Sequence, residues 1–461
     1  MLCPIDLAAR KNPKQTAIVD GRQALSYGWL NQQVNLAAGQ LYRRRISRGT
    51  RVGLTMAKEV GHIITLFALF RCQAVAVLFN SRQPLPEHRR QLKQAGVKIL
   101  VSAWKKNSAD RSSAQSPFSY HLSPRQDATI LFTSGSTHEP KAVLHTLGSH
   151  RASAQNVIQS LRINSTSRWM LALPLHHVGG LSILFRMFMA GGTVILCREQ
   201  QHLRADLRRS KTTHVSLVTT QLKRLLDRNM RGSDVPALKA IILGGSPVPH
   251  ELLKKALTHR LPVRLTYGMT ETASQIALSK IIKHRCDFSK AKLLPGVHWK
   301  IGKEGEIGVR GACVMRGYIR HGKLQPNKQW FLTGDLGKVT AGGELSILGR
   351  RDNMFISGGE NIHPEEIEHY LLLARGIEKA VVVPQPDSEF GFRPVAFIKT
   401  TREYTINKNK IEEELVKNLP KFKKPITYLA WPTHLEKSSL KLQRRQFKNY
   451  LATLCREHQY Q

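Results

Sequence analysis

The chain reads as an α/β protein. A large N-terminal domain of mostly parallel sheets with flanking helices and a small β subdomain is expected, followed by a small C-terminal α+β domain. Three observations predict this. Short apolar strand runs alternate with helical stretches through most of the first 350 residues, the pattern of a parallel sheet covered by helices. Several strand runs end in Gly or hydroxyl-bearing loops, and ligands of such sheets sit beyond the carboxyl ends of the strands. The composition changes after Gly349-Arg350-Arg351-Asp352, where a strand–helix–strand–helix pattern of domain size begins. The boundary is placed between residues 351 and 352, giving domains 1–351 and 352–461.

The elements follow in order. A helix opened by Leu25-Ser26-Tyr27-Gly28 is expected through Leu41, a strand over 51–55, an apolar helix over 61–70 and a strand over 74–79. The polar, Ser-rich stretch 105–124 reads as a surface loop. Strands are expected over 128–132, 169–173, 193–196, 215–218, 240–243 and 263–266, with a helix over 181–189. Short alternating segments from Gly302 to Tyr318 suggest the β subdomain. Beyond the boundary, Pro364 opens a helix to 373, strands cover 379–384 and 395–399, a helix covers 407–418, and a basic tail ends the chain.

Composition bounds the function. With 461 residues and 41% hydrophobic content the chain is globular and too long for one ordinary core. Its six cysteines are scattered without a C-x-x-C pair, which favours a reducing compartment and argues against a structural zinc site. No run approaches the roughly 18 apolar residues of a membrane span, and the first residues lack an apolar signal core. A cytoplasmic location is the default. Lys and Arg number 71 against 32 Asp and Glu, a formal +39. The basic residues are spread along the chain with no aromatic-interleaved stripe, so a solvated basic surface is favoured over specific nucleic-acid binding. Such a field still steers polyanionic nucleotides toward a cleft.

The chemistry centres on Leu131-Phe132-Thr133-Ser134-Gly135-Ser136-Thr137-His138-Glu139-Pro140-Lys141. A strand stops, a loop of hydroxyls and free N–H groups follows, and one lysine closes it. Hydroxyls and amides donate to phosphate oxygens while Lys supplies a point charge. It is not the usual P-loop, because no Gly-Lys-Ser/Thr follows Gly135 at the required spacing.

Together, TSGSTHEPKAV, LPLHHVGG, LGGSPVP, YGMTETASQ, FLTGDLG, GRRDNMFISGGENIHPEEIE and a late Lys441 resemble the adenylate-forming superfamily of acyl-CoA synthetases over nearly the whole chain. Within it, PLHHVGGLSILFR and YGMTETASQI most resemble the o-succinylbenzoate–CoA ligases of menaquinone biosynthesis. The resemblance implies ATP and coenzyme A as substrates, Mg²⁺ as cofactor and a small carboxylic acid as the third partner. It requires no nucleic acid and no membrane span, and is compatible with a homo-oligomer.

Site roles then follow by resemblance. Thr133, Ser134, Gly135, Ser136, Thr137 and Lys141 would hold the β- and γ-phosphates; Gly244, Gly245, Ser246 and Tyr267 would frame the adenine. Thr270 would contact the α-phosphate and Glu271 would coordinate Mg²⁺, a hard cation suited to carboxylate oxygens. Asp335 and Arg350 are assigned to the ribose, since an acceptor-only carboxylate can take both protons of a diol. Asp352 would be the hinge, and Lys441, with Lys437 as competitor, the lysine of adenylation. His177 would border the acyl pocket, and Gly358, Gly359 and Glu360 the pantetheine tunnel. His138 and Leu440 depart from the superfamily pattern, where Gly is usual.

Arg186 is singled out by physics as well. It lies one helical turn from Ser182 in an apolar helix, where an unpaired guanidinium is expensive. The free carboxylate of a dicarboxylic acid would pair with it, and a local Asp or Glu is the equal alternative. Rival functions are another aryl- or acyl-CoA ligase, a stand-alone adenylation enzyme loading a carrier protein, and a nucleic-acid binder on a degenerate scaffold.

Overall fold

The structure is a computed structural model. It describes residues 3–459 except 82, 106–121, 134–139, 198, 246–247, 284–290, 303, 340–343, 375, 402–410, 413–414, 416–418 and 438–443. It comprises a large sheet-rich N-terminal domain and a small C-terminal domain.

A 13-stranded sheet forms the larger layer. Its parallel half runs Val263–Met269, Ala240–Leu243, His214–Leu217, Arg168–Leu171, Thr193–Leu196, Thr16–Asp20, with the short antiparallel Gln23–Ser26 at the edge. The four-residue strands of this half are mostly apolar and buried, as expected where helices cover both faces. From Val263–Met269 the sheet continues antiparallel through Ser274–Ser279, Ala291–Leu293, Leu345–Arg350, Phe331–Val339, Glu306–Gly311 and Val297–Ile301. The β-rich stretch beginning at Gly302 is therefore hydrogen-bonded to the main sheet.

The second sheet has seven strands. Ile99–Val101, Arg51–Met56, Val75–Asn80 and Asp127–Thr133 are parallel, and the antiparallel strands Lys141–Thr146, Gly317–Arg320 and Lys323–Pro326 complete it. Two apolar helices, Val60–Arg71 and Val178–Ala190, supply much of the main core. Phe67 meets Phe185 at 5.8 Å and Phe188 at 5.3 Å between ring centroids. Burying each such ring contributes about 1.5–3 kcal/mol, which fixes the second helix and the site residues it carries.

The C-terminal domain has its own apolar core around Ile367, Leu371, Val382 and Ile398. Strands Ile377–Asp387 and Gly391–Thr400 pair along their length and are joined in parallel by Thr427–Ala430. They run longer than expected because a tight turn keeps the ladder closed past Pro384 and Pro394. The expected helix over 407–418 lies largely outside the described residues. The tail read as merely basic is in fact the helix Arg444–Gln459. Its apolar positions Phe447 and Leu451, one turn apart, pack with Phe397 and Trp431 in a second cluster. Its charge had masked that stripe. Among the described residues no helix is long and apolar enough to cross a membrane.

Candidate active site

The strand Val263–Met269, the short 3₁₀ turn Thr270–Thr272 and the strand Ser274–Ser279 form one hairpin at the seam between the parallel and antiparallel halves. Three groups of expected site residues meet this hairpin.

The first is built on Tyr267. Its hydroxyl donates to Asp335 Oδ2 at 2.6 Å, and burial with the adjacent carboxylate pushes the phenol upward from its ordinary pKa. Arg350 Nη1 donates to Asp335 Oδ1 at 2.9 Å and to Thr333 O at 2.8 Å, while its Nη2 reaches Asp352 Oδ2 at 3.4 Å. Among the described residues each Asp335 oxygen thus accepts once from protein. A carboxylate has about four acceptor positions, so two remain for a diol.

The second lies at Glu271. Tyr318 donates its hydroxyl to Glu271 Oε1 at 2.9 Å, and Lys141 Nζ stands 5.6 Å from the Tyr318 ring centroid. Lys141 is the register partner of Thr133, so the phosphate-loop candidate is the connection between two paired strands. Met315 N donates to Glu271 O at 2.7 Å, and His145 Nε2 bonds Thr270 O at 2.7 Å, so the backbone here is held from two sides. Burial lowers the His145 pKa to about 4, against the opposing pull of that bond, which keeps the ring neutral with its proton on Nε2. Among the described residues no cluster of three metal-ligating side chains exists. Glu271 offers its remaining oxygen as a single ligand, which suits Mg²⁺, an ion that keeps waters and phosphate oxygens around it.

The third surrounds Arg186. It is 1% exposed, and its Nη2 donates to Ser274 Oγ at 3.0 Å and Gln275 Oε1 at 3.4 Å. The guanidinium carbon lies 5.2 Å from the Trp169 ring centroid. Ser182 Oγ donates to Ser274 Oγ at 3.3 Å, so both helix residues converge on one hydroxyl. Burial pushes the Arg186 pKa down to about 9, and no carboxylate among the described residues pairs with it. Of the two partners considered for this charge, the local acidic residue is not found there.

The remaining candidates are placed as follows. His177 is the N-cap residue of the helix Val178–Ala190, its ring 4.3 Å from that of His176. Gly244 and Gly245 follow the strand Ala240–Leu243, and a Cβ on Gly244 would fall 2.6 Å from Thr266 Cγ2. Gly358 and Gly359 form the two-residue turn between Phe355–Ser357 and Glu360–Ile362, with φ of +56° and +85°. That turn geometry favours glycine at both positions whatever passes nearby. Glu360 is exposed. Ser134, Gly135, Ser136, Thr137, His138, Ser246, Leu440 and Lys441 lie outside the described residues.

Sequence reading missed Tyr318, Trp169, Ser274, Gln275 and His145. Ser274 and Gln275 stood in the YGMTETASQ motif, yet their partners across the chain carry no local signal.

Fold and site together define a nucleotide-binding α/β enzyme with a buried cation beside the residues expected to meet the nucleotide. The profile of the AMP-binding enzyme family matches residues 5–319, and the chain belongs to that family. It is 32% identical to 2-succinylbenzoate–CoA ligase of Salmonella typhimurium, with 94% of each chain covered. It is 37% identical to the enzyme of the same name from Haemophilus influenzae, over 70% of this chain and 71% of that one. Among solved structures it superposes on o-succinylbenzoate CoA synthetase from Bacillus subtilis in complex with ATP and magnesium ion. That match has a TM-score of 0.84 at 28% identity and covers 97% of this chain and 99% of the other. The complex of the same enzyme with its acyl-adenylate intermediate gives 0.85 at 28% identity, covering 97% and 98%.

Proposed function

We propose that this chain is an AMP-forming acid–CoA ligase that makes o-succinylbenzoyl-CoA, a step of menaquinone biosynthesis, and acts in the cytoplasm. The observation that carries the choice of acid is Arg186, a fully buried guanidinium without a carboxylate partner among the described residues, facing Ser274 on the hairpin that also bears Tyr267 and Glu271. A second carboxylate on the acid supplies the missing anion. The names of the similar enzymes support the same reading.

In the first half-reaction a carboxylate oxygen of the acid attacks the α-phosphorus of ATP. The bond to the β-phosphate breaks, and pyrophosphate leaves with the electron pair. In the second, the coenzyme A sulfur attacks the acyl carbonyl, the thiol proton is given up, and the C–O bond to AMP breaks. Positioning and charge neutralisation carry both steps. In this assignment Asp335, Arg350 and Tyr267 hold the ribose and base, with Gly244, Gly245 and Ser246 beside the adenine. Thr133 to Thr137, Lys141 and Thr270 hold the phosphates. Glu271 ligates Mg²⁺, which when bound neutralises phosphate charge. Lys441 serves adenylation, His177 borders the acyl pocket, and Gly358, Gly359 and Glu360 border the path of coenzyme A. Residues 1–351 and 352–461 are the two domains, with Asp352 as the hinge.

Acid-dependent ATP–pyrophosphate exchange tests this, comparing o-succinylbenzoate with benzoate, octanoate and no acid. Exchange confined to o-succinylbenzoate is expected. Exchange with benzoate alone refutes the choice of acid, and loss of thioester formation with free coenzyme A favours a carrier-loading enzyme.

A further inference from the structure

The ladder between Glu306–Gly311 and Phe331–Val339 is interrupted. Glu306 opposes Leu336 and Gly308 opposes Leu332, so Thr333, Gly334 and Asp335 are pushed out of register. Their polar groups are satisfied elsewhere, as buried backbone requires. Thr333 Oγ1 donates to Ile307 O at 2.9 Å, Asp335 N donates to Thr333 Oγ1 at 3.0 Å, and Gly334 N donates to Glu306 Oε1 at 2.9 Å. The second Glu306 oxygen accepts from Arg351 Nη1 at 2.6 Å. The Glu306 side chain is buried, and a buried carboxylate is costly unless bonded. Its two partners are the turn that presents Asp335 and the residue that sits between Arg350 and Asp352.

We infer that Glu306 is a positioning residue that fixes the Thr333–Asp335 turn and ties it to the interdomain segment. The inference rests on the reading of Asp335 as the ribose carboxylate and Asp352 as the hinge. Arg350 grips the turn at Thr333 O and Asp335, and Arg351 grips it through Glu306. Two adjacent guanidinium groups therefore hold one displaced turn, Arg350 directly and Arg351 through Glu306. The turn and the start of the hinge move together while Glu306 keeps both bonds.

The test uses the full chain and the variants Glu306→Ala, Glu306→Gln, Arg351→Gln and the double variant Glu306→Gln/Arg351→Gln. AMP affinity is read by calorimetry, and pyrophosphate exchange and coenzyme A-dependent thioester formation are read separately. Glu306→Ala is expected to weaken AMP binding roughly ten-fold, the effect of one lost bond to a charged acceptor. Glu306→Gln retains an acceptor for Gly334 N–H and leaves AMP affinity near wild type. It and Arg351→Gln are each expected to change the ratio of the two half-reactions by the same factor, and the double variant no further, the mark of one shared interaction. If Glu306→Ala does not fold, that cycle decides alone. Additive effects, or Gln variants with a wild-type ratio, overturn the tie to the hinge. Wild-type AMP affinity in Glu306→Ala overturns the positioning of the turn. AMP binding needs no acid, so a wild type that binds AMP yet shows no exchange with o-succinylbenzoate refutes the acid while the affinity comparison still decides the role of Glu306.

Discussion

Replacing Arg186 by Met separates binding of the acid from stability of the fold. The guanidinium is fully buried, bonded among the described residues to neutral Ser274 and Gln275 alone, and stacked on Trp169. A methionine fills most of that volume and removes a desolvated charge that no side chain neutralises. Such replacements are neutral or stabilising in many proteins, so the melting temperature of the variant is expected to hold or rise. Acid binding responds in the opposite direction. A bidentate guanidinium–carboxylate pair offers two charge-assisted bonds of about 1.5–3 kcal/mol each. At about 1.4 kcal/mol per factor of ten, their loss lowers kcat/KM for o-succinylbenzoate by about two to four orders of magnitude. Residual exchange with benzoate, which has no second carboxylate, is expected to be unchanged. Pyrophosphate exchange under substrate-limiting conditions measures both acids, and thermal unfolding measures the fold. A fall of less than about three-fold with o-succinylbenzoate, or an equal fall with benzoate, refutes the reasoning. A variant that melts far below wild type refutes it too, by making Arg186 a structural residue.

Gly268→Ala is expected to abolish exchange and lower the melting temperature by several degrees. Its Cβ would fall 2.3 Å from Ser274 O and 2.4 Å from Gln275 Cα, both backbone atoms that cannot swing aside. Gly359→Ala, where φ is +85° and no atom lies within 4 Å of the added carbon, is expected to cost about 1 kcal/mol through backbone strain alone. A raised KM for coenzyme A in that variant, with unchanged exchange, supports the tunnel assignment. An unchanged KM leaves the pair as turn residues. Stability is expected to fall as pH drops below about 6.5, because burial lowers the pKa of His145 and His214 to about 4 and of His176 to about 3. These rings bind protons more readily unfolded than folded, so acid favours the unfolded chain. A group like His145 contributes about 2 kcal/mol of that loss at pH 5. Equal melting temperatures at pH 7.5 and pH 5 contradict it.

The strands and helices that stand on strong apolar runs were legible in the sequence, as were residues carried by short motifs. Thr193–Leu196 and Ala240–Leu243 fall where their apolar character puts them. The order of strands was not legible where pairing is remote. Ala291–Leu293 lies between Ser274–Ser279 and Leu345–Arg350, an arrangement set by packing and by no local pattern. The site divides in the same way. Tyr267, Glu271 and Asp335 announced themselves through their neighbours, whereas Tyr318 reaches Glu271 across 47 positions and carries no cue to that bond. Glu306 looked like one charge in an ordinary strand. Its meaning appears only when three residues of the facing strand are displaced toward it. Arg186 stood out because an isolated charge in an apolar helix violates a physical expectation, and the structure buries it at 1% exposure.

The hairpin that meets Asp335 through Tyr267, Tyr318 through Glu271 and Arg186 through Ser274 limits how such an enzyme changes its diet. Under the proposed assignment, a substitution within that short span that alters acid choice also disturbs the residues assigned to the nucleotide. Ser182 and Arg186 sit on a helix that shares no residue with the nucleotide groups, and Trp169 comes from a separate strand. If Arg186 meets the acid as proposed, a library restricted to those three positions is the shorter road to a ligase for a different acid.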